Sequence, residues 1–329
     1  MKRLLCVMVL LSFCFTLVSC GIGGDGKGTE GLSYAIRTDG TYEVTGIGAA
    51  SDLDIVIPSS FEGTPVTAIS SGAFSGNFNI KSVKINDGIK YIGESAFSSC
   101  TALADVTLPA TLEELGINAF LGCSAIKYAE YSGANYLGTG SNPYFVLASA
   151  TNTDVTYCKV NPRCEFISDR AFFLCASLQS VEMSTSVRYI GSGAFQGCSM
   201  LKNITLSESI TSIGDETFTG CASLETLVLP DSVKRIGNSA FMGCASLKGV
   251  TLPGSLTEIG VTAFSNCTSL VEIYIPTTVE SVGAHAFTGC SSLVRVECGL
   301  TSLHDGFAED FLGDSKAEVI LGVLSVPLT

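Results

Sequence analysis

Residues 224–244 read L-E-T-L-V-L-P-D-S-V-K-R-I-G-N-S-A-F-M-G-C, and this stretch decides the fold because it recurs. Its Ala-Phe pair returns at Phe74, Phe97, Phe120, Phe172, Phe195, Phe241, Phe264 and Phe287, with Thr217-Phe218 standing in once. Every step is 23 residues except Phe120 to Phe172, which is 52, or two periods plus six. The phase survives that gap, so residues 124–154 read as one divergent, lengthened coil rather than a domain boundary. Self-similarity at a fixed period of this size is the signature of a repeat architecture.

Working outward from each Phe exposes the core slots. Five residues before it stand Ile69, Ile92, Leu115, Ile167, Ile190, Ile213, Ile236, Ile259 and Val282. Eight before it stand Val66, Ile89, Leu112, Cys164, Val187, Ile210, Val233, Leu256 and Val279. Fourteen and twelve before it come alternating pairs such as Val106 with Leu108, Ile204 with Leu206, Leu227 with Leu229 and Ile273 with Ile275. Alternation over so short a run predicts a strand with one buried face. Pro109, Pro230, Pro253 and Pro276 end that strand where no ladder bond is needed. Gly93 and Gly214, four before the Phe, predict a tight bend. One coil buries too few side chains to offset the entropy of ordering it, so the coils must stack. The sequence therefore predicts a solenoid of about ten coils at the ~4.8 Å strand spacing.

The unit at 224–244 resembles the BspA-like bacterial leucine-rich repeat, the 23-residue class of treponemal surface proteins. The likeness runs from Val66 to Cys298. It implies a right-handed leucine-rich-repeat superhelix, β-rich, with a concave parallel sheet and short turns or helices elsewhere. It also implies an exported or surface-attached protein associated with adhesion. Residues 32–65, where Tyr34-Ala35-Ile36 and Tyr42-Glu43-Val44 flank Asp39-Gly40, predict an N-terminal β-hairpin cap. The phase slips after Cys298, so residues 299–329 read as a degenerate C-terminal coil or cap.

The N-terminus carries an address. Lys2 and Arg3 precede a 15-residue apolar run, Leu4 to Val18, too short for a membrane span. Residues 1–19 read as a signal peptide, and Leu17-Val18-Ser19-Cys20 resembles the lipobox of bacterial lipoproteins. That resemblance implies lipidation at Cys20 and anchoring by several acyl chains. Residues 20–31 form a Gly-rich tether. Gly21, Gly23 and Gly26 fit the dinucleotide spacing, but no strand precedes them and no helix follows. In the lipoprotein pattern Gly21 after the lipidated Cys disfavours inner-membrane retention, so the expected address is the cell surface or outer membrane.

Composition excludes several functions. The net charge of −13 lacks the basic footprint of a nucleic-acid binder. Only two His are present, and neither His285 nor His304 has triad partners at a suggestive spacing. No enzyme, cofactor or metal site is expected. Eight Cys sit three residues after the Phe, at Cys100, Cys123, Cys175, Cys198, Cys221, Cys244, Cys267 and Cys290. Cys158, Cys164 and Cys298 replace aliphatic residues in strand or core slots. These cysteines read as a buried thiol ladder of small apolar residues, with one or two disulfides and a metal site as the alternatives.

Binding is better motivated than catalysis, because a solenoid offers an extended surface. Outward columns beside the strand contain Tyr128, Tyr157, Tyr274, Glu182 and Glu272, which are the candidate contact residues. The aromatic group Tyr128, Tyr131, Tyr136, Tyr144, Phe145 and Tyr157 around the divergent coil fits either packing or recognition, with residues 136–147 as a protruding hairpin. The expected protein is a monomeric, lipid-anchored surface binder of an extracellular protein or glycan. A glycan-capture or periplasmic assembly lipoprotein without host contact is the alternative.

Overall fold

The computed structural model describes residues 28–299 and 306–322. The expected signal peptide and lipidation site Cys20, most of the expected tether and part of the expected C-terminal coil lie outside the described residues. Among the described residues every regular element is a β-strand, so turns rather than short helices join them. Contacts divide the chain into two compact units, one of residues up to 105 with 109–125, the other of 106–108 with 126 onward. The division falls at the start of the irregular coil. Each unit is a parallel β-solenoid.

In the first unit, Ser33–Ile36 and Tyr42–Gly46 form an antiparallel hairpin. The Asp39 carboxylate holds its turn by accepting from the Thr41 amide at 3.0 Å and hydroxyl at 2.7 Å. This hairpin ends a sheet that continues in parallel through Thr64–Ile69, Tyr91–Ile92 and Glu114–Leu115. Asp54–Ile57 pairs in parallel with Ser82–Ile85, Ile55 opposite Val83. The first repeat strand therefore begins at Asp54, ahead of Val66. A small hairpin, Ser60–Phe61 against Thr64–Pro65, lengthens this coil and breaks the 23-residue spacing that would have revealed it.

In the second unit each regular coil supplies one short strand to each of two sheets. One sheet face is built from Tyr157–Lys159, Ser180–Glu182 and Asn203–Ile204, then Thr226–Val228 with Gly249–Thr251, then Glu272–Ile275, Arg295–Cys298 and Glu318–Leu321. The other runs through Phe166–Ile167 and Tyr189–Ile190, then Ser212–Ile213, Arg235–Ile236, Glu258–Ile259 and Ser281–Val282. The third side is turn, yet it is laddered too: the Phe195 amide donates to Thr217 O at 2.9 Å and the Phe241 amide to Ala263 O at 2.8 Å.

The Phe column lies inside these turns. Phe172, Phe195, Phe218, Phe241, Phe264 and Phe287 are fully buried and stack nearly parallel, with centroids 5.2–5.6 Å apart. Phe74, Phe97 and the half-buried Phe120 stack the same way in the first unit, at 5.0 and 5.2 Å. That spacing is the coil rise, so identical rings meet their counterparts face to face.

The thiol ladder has a physical basis beyond size. Seven of its eight cysteines donate S–H to the carbonyl of the Phe one coil back, as Cys123 does to Phe97 at 3.0 Å and Cys221 to Phe195 at 3.2 Å. The same carbonyl accepts the amide of its own coil's Cys, at 3.2 Å for Cys100 on Phe97 and 3.1 Å for Cys198 on Phe195. The oxygens of Phe97, Phe172, Phe195, Phe218, Phe241 and Phe264 thus use both lone pairs. The eighth, Cys175, follows the irregular coil, where no Phe is in place, and reaches Asn152 O at 3.9 Å. Cys158 and Cys298 instead fill strand slots opposite Val181 and Ile275. All eleven described cysteines are free and buried. Burial pushes the Cys158 and Cys164 thiols up to about 12 and those of Cys290 and Cys298 up to about 11.

The glycine four before the Phe serves close approach rather than bending. Its φ is not left-handed at Gly93 or Gly283, yet a Cβ there would collide with the backbone of the preceding coil, at Ser71 and Val261. The next slot carries a side-chain seam. Asp169 Oδ1 accepts the Ser192 amide at 2.6 Å, Asp215 Oδ1 the Asn238 amide at 2.9 Å, and Asn238 Oδ1 the Val261 amide at 2.9 Å. Burial raises the Asp169 carboxyl to about 6.

Two predictions follow from this interior. In the native protein the eleven described thiols should resist an impermeant thiol reagent, and all should react on denaturation; fast native labelling would contradict the ladder. Because the folded state holds the Asp169 proton more tightly than the unfolded chain, its contribution to stability falls as pH rises from about 4 to about 6. Asp169→Asn keeps the acceptor, as Asn238 shows, and should stabilise the protein by roughly 2–3 kcal/mol at pH 8 while removing that slope. Equal melting of the two proteins at pH 8 would refute the assignment.

Candidate binding surface

On the strand face of the second unit the inward residues Cys158, Val181 and Leu227 are buried, while the residues beside them face solvent. The register aligns the outward columns. Tyr157 stands opposite Ser180 and then Asn203, and Lys159 opposite Glu182. Thr226 faces Gly249 and Val228 faces Thr251. Glu272 faces Arg295 and then Glu318, and Tyr274 faces Glu297.

The structure joins two of the candidate residues directly. The exposed Tyr157 hydroxyl donates to Glu182 Oε2 at 2.8 Å, and Lys159 Nζ is ion-paired with Glu182 Oε1. The lysine bond first, and the tyrosine bond second, hold the Glu182 carboxyl below its usual range. The bond to Glu182 raises the Tyr157 phenol in turn. Tyr157 thereby has its hydroxyl tied to the neighbouring coil on an exposed face.

The other candidates are placed apart from this cluster. Glu272 is exposed and Tyr274 half-buried, five coils along, or ~24 Å at the strand spacing. Tyr128 is half-buried and precedes Ala129–Tyr131, which turns back antiparallel onto Ala134–Tyr136. The parallel register that carries Tyr157 therefore does not include Tyr128. Between Tyr157 and Tyr274 the face carries small neutral residues, Asn203, Thr205, Thr226, Gly249 and Thr251, around the exposed Val228.

The remaining aromatics of the irregular coil are packing residues. Tyr136 is 1% exposed, and its hydroxyl accepts the Asn161 amide at 3.2 Å. Tyr144 meets it edge-on at 5.6 Å, and Phe145 lies against Phe166 at 5.3 Å. Residues 134–139 and 146–150 do pair antiparallel, but both are stitched into neighbouring strands, at Thr107–Leu108 and Phe166–Ile167. This hairpin is part of the solenoid wall and does not protrude.

Surface charge follows a rule that single-residue reading missed. Five ion pairs join opposite charges one 23-residue period apart: Lys90–Glu113 at 3.0 Å, Lys159–Glu182, Glu165–Arg188 at 3.0 Å, Glu225–Lys248 at 2.9 Å and Arg235–Glu258 at 3.3 Å. Opposite charges at the repeat spacing were the available signal. Each exposed pair stabilises little alone, about 0–1 kcal/mol. Among the described residues no group of three or more His, Cys, Asp or Glu could hold a metal. His285 Nε2 lies 3.1 Å from Asp310 Oδ2, on an exposed turn.

The fold and this surface define a leucine-rich-repeat solenoid, a scaffold class that works by protein interaction. The chain matches the BspA type leucine rich repeat region in six copies, over residues 54–142 and 165–294, about two thirds of its length, and it belongs to that family. It is similar in structure to a leucine rich repeat protein from T. pallidum, at 24% identity and TM-score 0.32 over 73% of this chain and 88% of that one. It is similar to a leucine rich cell surface protein from Faecalibacterium prausnitzii, at 22% identity and TM-score 0.36 over 92% and 96%. It is also similar to the pneumococcal vaccine antigen PcpA, at 20% identity and TM-score 0.48 over 82% and 76%. No curated protein matches the chain.

Proposed function

We propose that this protein is a lipid-anchored, cell-surface binding protein that holds an extracellular protein on the strand face of its second unit, without catalysis. The observation that carries the reading is the Tyr157–Glu182–Lys159 cluster, an exposed aromatic hydrogen-bonded to its neighbour on a laddered sheet. A rigid aromatic loses little entropy on contact, which makes such positions binding hot spots. Tyr274 with Glu272 supplies a second contact five coils away, and the small residues between them let a partner lie close to the backbone. Tyr128 stands outside this face and contributes less. Anchoring through Cys20 would display the solenoid on the outer surface of the cell, in keeping with the surface address named for the F. prausnitzii protein.

Purified protein, screened against matrix proteins, mucin and a polysaccharide panel at physiological salt, should bind a protein saturably. Tyr157→Ala and Tyr274→Ala should each weaken that binding at least tenfold, about 1.4 kcal/mol or more. Lys234→Ala, on the other sheet, should not. Unchanged affinity in both tyrosine variants would end the strand-face reading. Binding to sugars alone would favour glycan capture, for which the hydroxyl-rich middle of the face is the supporting feature. Protease shaving of intact cells should remove the protein if it is displayed outside.

A further inference from the structure

At the outward position that Tyr157 opens on the strand face, the following coils carry Ser180, Asn203, Thr226, Gly249, Glu272 and Arg295. Gly249 alone in that column lacks a side chain. A glycine weakens a strand, so there it marks a bulge, a sharp bend or a close approach of other atoms. The first two do not apply at Gly249. Thr226–Val228 and Gly249–Thr251 pair in parallel without a shift of register, and the φ of Gly249 is not left-handed. The described protein does not fill the place either: a Cβ on Gly249 would meet no atom within 4 Å. Gly93 and Gly283 differ, since a Cβ there would strike the preceding coil. The glycine leaves a notch open to solvent between Thr226 and Glu272, which stand two coils, or ~10 Å, apart.

The two sides of the notch differ in chemistry. Val228, diagonal to Gly249 across the ladder, is 71% exposed, the most exposed large apolar side chain among the described residues. Diagonal neighbours on one sheet face lie within reach of a long side chain. On the far side Glu272 is exposed and, among the described residues, has no ion pair. Arg295, opposite it in register, is turned to Glu297 at 3.3 Å. Lys248, next to Gly249 in the chain, is held by Glu225 at 2.9 Å. Tyr274 leans toward the following coil, where a Cβ on Gly299 would lie 2.6 Å from its hydroxyl, and so leaves the notch uncovered.

We propose that the notch over Gly249 receives a lysine or arginine side chain of the protein partner, its stem against Val228 and its cation on the Glu272 carboxylate. Such side chains combine an aliphatic stem with a charged head, which is the pairing these two walls ask for. The net charge of −13 also favours a cationic segment over an acidic one. This role of the notch rests on the strand-face reading above. Gly249 sets the specificity, because any larger residue would fill the space.

Panning a random seven-residue peptide library on the immobilised full chain at physiological salt tests it. Selected peptides should share a lysine or arginine. Gly249→Val should bind them at least tenfold more weakly, and Glu272→Gln should lose the preference for the basic residue. Melting should not fall in Gly249→Val, since the added side chain meets no atom and valine suits a strand. If Gly249→Val binds as tightly as the wild type while Tyr157→Ala and Tyr274→Ala bind weakly, the notch is wrong and the strand face stands. Unchanged binding in the tyrosine variants would end both. Peptides that share an apolar residue in place of a basic one, or a library that yields no binder, would also overturn the proposal.

Discussion

The carbonyl oxygen of the column Phe is where one coil is tied to the next. It accepts an amide from its own coil and a thiol from the following one, as Phe195 O does from the Cys198 amide and Cys221 Sγ. Both donors sit at fixed distances from the Phe residues, so where a coil changes length the thiol bond to the preceding Phe is lost, as at Cys175. Strand ladders on two sides and the turn ladder on the third impose the same repeat. The 23-residue period is therefore the length of chain that closes one circuit with its strand and turn ladders in register. Where the circuit is lengthened, at the irregular coil, the pattern fails locally: Cys175 finds only Asn152 O, at 3.9 Å.

The same stacking organises the surface. Side chains one period apart sit side by side at the coil rise, so a carboxylate at one position meets the charge or hydroxyl 23 residues away. Lys90 with Glu113 and Arg235 with Glu258 show this on the second type of strand, and Lys159 with Glu182 on the first, where Tyr157 reaches the same carboxylate diagonally. Five pairs of opposite charges meet in this way along the solenoid walls. From Asn203 to Thr251 the outward strand columns between the Tyr157 cluster and Tyr274 carry no charge, with the Glu225–Lys248 pair at their edge. A rigid backbone with tunable outward columns can vary its partner without disturbing its core, because inward and outward residues alternate.

Much of this was legible in the sequence because the repeat multiplies each signal. Ile236, Val233, Leu227 and Phe241 could be assigned to the core from their recurrence alone, and all are buried. Features that depend on backbone conformation left no such mark. The residue two before the Phe has a left-handed φ in coil after coil, yet it is Ser95, Asn118, Arg170, Glu216, Ser239, Thr262 or His285, with Gly at only two positions. No residue type flags that turn because the ladder around it enforces the conformation. The strand Asp54–Ile57 escaped notice for the opposite reason: a local hairpin shifted it off period. Among the candidate contacts, Tyr157 and Glu182 were placed by the alternation. Tyr128 precedes a strand, Ala129–Tyr131, that pairs antiparallel with Ala134–Tyr136, an arrangement periodicity cannot report.

If stacking is what makes each coil stable, damage to one coil must spread to its neighbours. Hydrogen exchange along Phe218→Ala tests this most directly, since the ring is buried between Phe195 and Phe241 at 5.4 and 5.5 Å. Truncating a buried Phe costs about 3–5 kcal/mol. The account predicts that protection falls together across the coils of Phe195, Phe218 and Phe241, by roughly two to three orders of magnitude. Loss confined to residues 204–226, with the flanking coils as protected as before, would contradict it.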